Sequence, residues 1–139
     1  MDDERSWEDL IEEIESLKAE LAQEARPGRR MHHDVTATPN HTILFLAEDV
    51  RPVGEELVTG EALWEWVPET GATTLRWSSF DHLSWTLDRG DRSRPDDWLH
   101  ANSIAFGPSG NVLVSFHFLN QVVSIAPGYG PFQWRLGGV

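Results

Sequence analysis

Apolar residues near the beginning of the chain recur at the spacing of one helical face. They are Trp7, Leu10, Ile11, Ile14, Leu17 and Leu21. The residues between them are mostly Glu, Lys or Ala. Ser6 and Asp9 have the spacing of a capping box, and Pro27-Gly28 follows as a pair that ends helices. The pattern predicts an amphipathic α-helix over residues 6–24.

The apolar face of this predicted helix has two interpretations. In the first, it packs on the domain that follows. In the second, it is a coiled-coil or partner-binding seam, because its apolar residues also alternate in steps of three and four. Only some two to three heptads are present, fewer than stable coiled coils usually have, so we favour the first.

After residue 30 the pattern changes to short runs of β-branched and aromatic residues. The runs of strand length cover residues 42–46, 62–67, 73–77, 112–116 and 122–125. Pairs such as Pro39-Asn40 and Pro127-Gly128 separate them, and the polar segment 88–97 is a predicted surface loop. The sequence therefore predicts antiparallel strands and no helix after residue 30.

The same plan occurs twice in this β-rich part. His33 is followed by a turn, strands and a strand that ends in Trp77, and His100 is followed by the same order of elements up to Trp134. These repeats fit four-stranded propeller blades of roughly 40–50 residues with loop insertions. The predicted fold class is all-β, with about two antiparallel blades of an incomplete β-propeller after one N-terminal α-helix. We divide the chain into residues 1–28, an acidic amphipathic helix and linker, and residues 29–139, a partial propeller.

Charge and composition exclude several classes of protein. The formal net charge is −12, and ten of the 23 acidic residues lie within residues 1–24, so nucleic acid is not an expected partner. The chain has no cysteine, which excludes disulfides and thiol chemistry. No apolar run approaches the roughly 18–20 residues of a membrane span, and the acidic beginning is the reverse of a signal peptide. We expect no membrane partner, and the compartment stays unassigned.

Four polar motifs carry the chemistry of the sequence. They are His32-His33-Asp34 with Pro39-Asn40, His100-Ala101-Asn102-Ser103, Ser115-Phe116-His117, and Trp134-Arg135-Leu136-Gly137-Gly138. In this order they resemble the motifs of the arylsulfotransferase-type β-propeller family, and the resemblance covers the chain from about residue 31 to its end. It implies transfer of a sulfuryl group from one phenol to another without a nucleotide donor, through a histidine that becomes covalently sulfated. It also implies a phenolic sulfate donor and a phenol acceptor as partners, and no cofactor.

The resemblance and the repeat make His33 and His100 the candidate catalytic residues. The first residues of innermost propeller strands face the central channel, so both histidines are expected to converge there. A neutral imidazole is a competent nucleophile near neutral pH. Neighbours on a strand point to opposite faces, so His32 is expected to pack or cap rather than to face the channel.

Asn102 and His117 are the candidate substrate-binding residues. Sulfuryl transfer places negative charge on equatorial oxygens and on the departing phenolate, where fixed donors stabilise it. Asn102 is equally compatible with a bond to a sulfate oxygen and with a turn cap. His117 stands where relatives often carry Arg, so a protonated imidazole replaces that charge only in part.

The sulfated histidine of relatives lies in a further His-Asp or His-Thr motif downstream of the Trp-Arg-Leu-Gly-Gly segment. The sequence ends at Val139 without such a motif. The expectation is that the nucleophile is absent and that the acidic helix replaces earlier blades, so this polypeptide alone does not turn over aryl sulfates. Exposed sheet edges or the N-terminal helix also offer routes to self-association.

Two other functions compete with this hypothesis. The first is a non-catalytic propeller-type interaction module. The second is a metal site, for which His32, His33, Asp34, His100 and His117 are suitable ligand types, although no His-x-His or His-x-x-x-His spacing is present.

The remaining aromatic, histidine and acidic residues have structural interpretations. The tryptophans are expected to form blade core. His41 stands in a turn where Gly is usual, and His82 lies beside core aromatics. Asp96-Asp97 is interpreted as loop solvation or a turn cap.

Overall fold

The computed structural model describes Asp9, Glu12 and residues 31–138, with side chains from residue 34 onward in the continuous part. The predicted helix over residues 6–24 lies outside the described residues except for Asp9 and Glu12, whose backbones are helical. The predicted domain boundary near residue 28 also lies outside them. Among the described residues, no helix is long and apolar enough to span a membrane.

The described part is all-β and consists of two antiparallel four-stranded sheets. The first contains β1 (Met31–Ala37), β2 (Ile43–Val53), β3 (Glu56–Val67) and β4 (Ala72–Ser78) in sequence order. The second contains β5 (Ala101–Phe106), β6 (Val112–Phe116), β7 (Gln121–Ile125) and β8 (Phe132–Gly137), also in sequence order. The prediction of antiparallel strands is confirmed here.

The prediction of no helix after residue 30 is confirmed for α-helix within residues 31–138, and the connections contain short 3-10 turns. Two single turns of 3-10 helix occur, at Ser79–Asp81 and His117–Leu119. The Ser78 hydroxyl accepts a hydrogen bond from the Phe80 N–H and so caps the first turn. Each turn is three residues long, the usual use of this conformation as a connector.

The outer ends of β2 and β3 extend beyond the runs that the sequence marks. The two strands pair continuously from Ile43 with Trp66 to Val53 with Glu56, and Gly54 has a φ of 62° in the connection. Val58 is fully buried in this extension, whereas its neighbour Leu57 is exposed. Burial of alternate residues after pairing therefore lengthens the hairpin beyond its apolar run.

Trp77 and Trp134 are not equivalent positions of the repeat, which corrects the sequence interpretation. Trp77 pairs with Leu63 near the end of β4 and is buried. Trp134 pairs with Ser124 near the beginning of β8 and is 45% exposed. The core prediction for tryptophan is therefore confirmed for Trp77 and wrong for Trp134.

The principal core lies between the two sheets. Leu44, Leu46 and Leu63 of the first sheet share it with Val114, Phe116 and Val123 of the second. The ring of Trp77 lies 6.2 Å from that of Phe116 and 6.0 Å from that of Phe132, so it contacts the second sheet directly.

Asp34 joins the first strands of the two sheets. One carboxylate oxygen accepts a hydrogen bond from the Val35 N–H, and the other accepts from the Ile104 N–H of β5, each at 2.9 Å. Asp34 therefore satisfies a backbone donor in each sheet and holds β1 beside β5. These two hydrogen bonds give Asp34, the aspartate of the first motif, a structural role.

Replacing Asp34 with Ala is expected to lower the free energy of unfolding by about 1.5–3 kcal/mol, because two hydrogen bonds to a charged acceptor are lost. Urea denaturation followed by circular dichroism measures the change. The matched control is Asp96→Ala, since Asp96 is exposed and bonds only Arg94 among the described residues. A loss no larger than that of the control would contradict the joining role.

Candidate functional site

Asp97 and His100 form a hydrogen-bonded pair immediately before β5. The Nδ1 atom of His100 lies 2.8 Å from Oδ2 of Asp97. Trp98 and Leu99 separate the two residues and are fully buried. Because the two buried side chains anchor this short segment, the residues that flank them, Asp97 and His100, are kept within hydrogen-bonding distance of each other.

Hydrogen bonds of Trp98 fix the segment on the first sheet. Its backbone N–H donates to the Thr59 carbonyl at 3.1 Å, and the Thr59 N–H donates to the Pro95 carbonyl at 2.6 Å. Its indole N–H donates to the Asp88 carbonyl at 2.7 Å. The surface loop over residues 88–97 is therefore attached at both of its ends.

His100 has a strained backbone and a ring clamped by its neighbours. Its φ is 48°, a left-handed conformation that non-glycine residues rarely adopt. The His100 carbonyl accepts from the His117 N–H at 3.1 Å, which attaches this residue to the end of β6. Its ring stacks on Phe118 at 4.7 Å and lies 5.8 Å from the ring of His117. Backbone strain of this kind, of order 1–3 kcal/mol, is characteristic of functional positions.

The Asp97 carboxylate determines which nitrogen of His100 carries the proton. An ionised carboxylate only accepts hydrogen bonds, so Nδ1 of His100 is the donor. The lone pair of the neutral ring then falls on Nε2, as in other carboxylate–histidine pairs. His100 is thereby oriented as a base or nucleophile.

Arg92 and His117 form a second part of the site. Nη1 of Arg92 lies 3.3 Å from Nε2 of His117. Arginine only donates, so Nε2 of His117 is the acceptor in this hydrogen bond. Arg92 therefore places a permanent positive charge beside His117, and the part that His117 takes in substrate binding stays a prediction.

Arg135 completes an Arg-lined cavity of about 520 Å³. Its guanidinium donates to Oε1 of Gln121 at 3.0 Å and to Oδ1 of Asp88 at 3.1 Å. The Arg side chains that line the cavity are Arg89, Arg92 and Arg135, and His117 and Phe118 lie on the same wall. Asp88 and Asp91 also line the cavity and offset part of the charge of its three arginines, and Arg92 forms no ion pair with any described residue. The cavity therefore suits a singly charged oxyanion.

Three of the four motifs meet at one end of the second sheet, where β5 begins and β6 and β8 end. His100 precedes the beginning of β5, His117 follows the end of β6, and Arg135 lies near the end of β8. In an antiparallel meander these three positions lie at the same end, and the pairs Ala101–Phe116 and Gln121–Gly137 fix the register. The predicted proximity of His100 and His117 is present.

His32 and His33 lie in β1, and the predictions for their side chains fall outside the described residues. The backbone register does not make His33 the counterpart of His100. Val35 pairs with Phe45 as Ile104 pairs with Val114, and His33 is two residues before Val35 whereas His100 is four residues before Ile104. Both histidines nevertheless stand at the beginning of the first strand of a sheet.

Asn102 lies inside β5 with an exposed side chain that makes no hydrogen bond to a described residue. The turn-cap interpretation of Asn102 is therefore wrong. A bulge between Ala101 and Ser103 leaves both Asn102 and Ser103 exposed. Asn102 stays a predicted substrate-binding residue two positions after His100.

Sequence reasoning missed Asp97, Arg92 and Arg135. Asp97 was grouped with Asp96, which is correct only for Asp96, an exposed residue bonded to Arg94. The three-residue spacing from Asp97 to His100 was the available signal. Arg135 stood within the fourth motif, whereas nothing in the loop sequence distinguished Arg92 from its neighbours.

His41 and His82 have the structural positions that the sequence predicts. His41 is exposed with a φ of 61° in the turn after β1. The His82 ring stacks on Trp77 with centroids 5.3 Å apart and an interplanar angle of 8°. Within the described part of the chain, no group of three His, Cys, Asp or Glu side chains is placed to hold a metal ion.

A family model described as arylsulfotransferase (ASST) matches residues 11–138. The chain belongs to the arylsulfotransferase family. The match covers all four motifs and begins within the predicted N-terminal helix. No curated protein and no solved structure matches the chain. Membership of the family supports an arylsulfotransferase-like function in general.

Asp97→Ala is expected to shift His100 from the Nδ1–H to the Nε2–H tautomer, because the acceptor that holds the Nδ1 proton is lost. Nitrogen-15 NMR of the imidazole rings detects the change at His100. Asp96→Ala is the control and leaves the His100 signals unchanged. Identical ring signals in wild type and Asp97→Ala would contradict the orienting role.

Proposed function

We propose that the chain takes part in sulfuryl transfer between phenols without a nucleotide donor, and that His100 acts at the reacting centre. The observation that carries the proposal is the Asp97–His100 pair beside the Arg-lined cavity, in a chain of the arylsulfotransferase family.

The proposal includes a propeller arrangement in which the two sheets are neighbouring blades. Each sheet is a four-stranded meander, the two pack face to face, and β1 lies beside β5. First strands that lie side by side are expected of innermost propeller strands, which surround a central channel. His100 then stands at one mouth of that channel, and His33 stays a proposed catalytic residue at the beginning of β1.

His100 is proposed to move a proton during transfer. Its Nε2 lone pair takes the proton of the acceptor phenol as the phenol oxygen bonds to sulfur. The bond between sulfur and the donor phenol oxygen breaks as the new bond forms, and the proton passes from Nε2 to the departing phenolate, which leaves the His100 ring neutral again. Asp97 stabilises the imidazolium that forms between these steps, as a carboxylate beside histidine does in other enzymes.

Arg92, Arg135 and Asn102 are proposed to bind the sulfuryl oxygens. The transferred group carries charge on its equatorial oxygens, and guanidinium donors at fixed positions stabilise that charge. Two of these residues are already oriented, since Gln121 and Asp88 hold Arg135 and His117 contacts Arg92. His117 therefore positions Arg92 rather than supplying the charge itself.

The site is open in the described part of the chain, and this limits its catalytic power. Arg92 and His117 are both exposed. Electrostatic stabilisation is strongest where water is excluded, because water screens the donors. The proposal is therefore that the polypeptide alone binds an aryl sulfate but releases phenol from it very slowly or not at all.

Arg92→Gln is expected to weaken binding of 4-nitrophenyl sulfate about 10-fold or more, because a charged hydrogen bond to the sulfate is lost. Isothermal titration calorimetry measures the affinity. Arg94→Gln is a matched control from the same loop, since Arg94 does not line the cavity. Equal affinities of wild type and both variants would show that 4-nitrophenyl sulfate does not bind in this cavity.

Incubation of the purified protein with 4-nitrophenyl sulfate and a phenol acceptor is expected to release no nitrophenol above the buffer rate. Absorbance at the nitrophenolate band measures release. Release that disappears in His100→Ala would show that the open site is sufficient for turnover and that His100 is essential. Release that persists in His100→Ala would overturn the assignment of His100.

A further inference from the structure

A second cavity, of about 280 Å³, lies at the opposite end of the two sheets. Its lining includes Thr38, which follows β1, and Phe106, the last residue of β5. His100 stands at the other end of β5. The two cavities share no lining residue, so whatever binds here is distinct from the candidate sulfuryl site.

A buried carboxylate with both oxygens bonded forms the base of this second cavity. Glu65 is 7% exposed, and one of its oxygens accepts from the Thr42 hydroxyl. The Thr42 hydroxyl also lies 2.6 Å from that of Thr38. The other Glu65 oxygen accepts from Nε of Arg76 at 2.7 Å. Because both oxygens are engaged and Arg76 neutralises the charge, Glu65 offers little to a cation.

Arg76 and Tyr129 direct unused donors at the cavity. Arg76 employs Nε for Glu65, and its two η nitrogens make no hydrogen bond to a described residue. The Tyr129 hydroxyl likewise makes none within the described part. Both residues line the cavity, and the Arg76 guanidinium lies 6.0 Å from the centre of the Tyr129 ring. The cavity therefore contains a positively charged donor and a neutral one close together.

The backbone of Tyr129 is strained into this position. Its φ is 61°, and Gly128 before it has a φ of 81°. A left-handed conformation is uncommon for a residue other than glycine, which adopts it at a lower energetic cost. The turn is closed by bonds from the Ala126 N–H to Pro131 and from the Gly130 N–H to Ala126. A non-glycine residue with a strained backbone in a pocket wall points to a function of its side chain.

The Tyr129 hydroxyl keeps its proton and can therefore donate a hydrogen bond. Burial raises the pKa of Tyr129, and the Glu65 carboxylate raises the pKa further, although Arg76 lowers it. The group is therefore protonated at neutral pH and available to donate. Neutral donors of this kind add specificity to an Arg–oxyanion contact.

We propose that this second cavity binds the carboxylate of a small aromatic acid. The η nitrogens of Arg76 and the Tyr129 hydroxyl donate to the carboxylate oxygens. The aromatic ring lies against the apolar residues of the lining, which are Pro39, Phe106 and Val112. The volume lies just below that of typical ligand pockets, which run from about 300 to 1,000 Å³, so a ligand with a single ring is the fitting size.

The test is titration of the full chain with benzoate, followed by amide chemical shifts in two-dimensional NMR. Saturable shifts are expected at the residues around Tyr129 and Asn40. Tyr129→Phe removes only the hydroxyl and is expected to weaken benzoate binding about 5- to 10-fold, the loss of a hydrogen bond to a charged group. Arg76→Gln is expected to weaken it by more, because the charge is lost as well.

Controls separate this cavity from the candidate sulfuryl site and from unspecific apolar binding. Arg92→Gln is expected to leave benzoate affinity unchanged even though it weakens 4-nitrophenyl sulfate binding. Benzyl alcohol is expected to bind at least 10-fold more weakly than benzoate, because it lacks the charge that pairs with Arg76. If Arg76→Gln unfolds, as its thermal melt would show, Tyr129→Phe and benzyl alcohol still decide the question.

Three results would overturn the proposal. Benzoate that produces no saturable shift excludes an aromatic acid of this size. Equal affinity in wild type and Tyr129→Phe excludes the hydroxyl as a donor to the ligand. Tighter binding of benzylamine than of benzoate would show that Glu65, not Arg76, determines the charge preference of the cavity.

Discussion

Trp98 lies fully buried between the rings of Phe80 and Trp85, and its indole N–H donates to the carbonyl of Asp88. Two parts of the candidate site depend on this packing. Asp97 and His100 stand on either side of the buried Trp98-Leu99 pair. The carboxylate of Asp88 also accepts from Arg135, so the loop that is closed by Trp98 carries an acceptor that orients the cavity's guanidinium. The buried side chain of Trp98 therefore fixes both the position of the His100 imidazole and, through Asp88, that of the Arg135 guanidinium.

The sequence predicted a strand where the strand's own residues form an apolar or β-branched run, and it missed strands that depend on pairing with a neighbour. Strands β2, β3, β4, β6 and β7 carry apolar or β-branched runs, which predict strands without knowledge of their partners. The polar beginnings of β1 and β5 become strands because each pairs with a buried neighbour, and β8 is mostly exposed. Those assignments depend on pairing across the sheet, which no single run displays.

The candidate site shows the same limit. His100 and His117 were identified by motif, and the structure brings their rings together. Arg92 is separated from His117 by β5 and β6, and its role arises only when the loop is attached to Thr59. Tyr129 gave no signal at all, since a tyrosine between two glycines looks like an ordinary turn. Its importance comes from a backbone angle and from neighbours contributed by the other sheet.

Each sheet is a meander, so nearly all strand pairing joins segments that are close in sequence and have a low entropic cost of closure. The joining of Asp34 to Ile104 and of Thr59 to Trp98 spans much longer stretches of chain. Local pairing within each sheet is therefore expected to form before one sheet docks on the other. Since both cavities draw residues from distant segments, a chain with complete hairpins but undocked sheets has β-structure and no binding capacity. Recovery of ligand binding after refolding thus reports the docking event rather than formation of the strands.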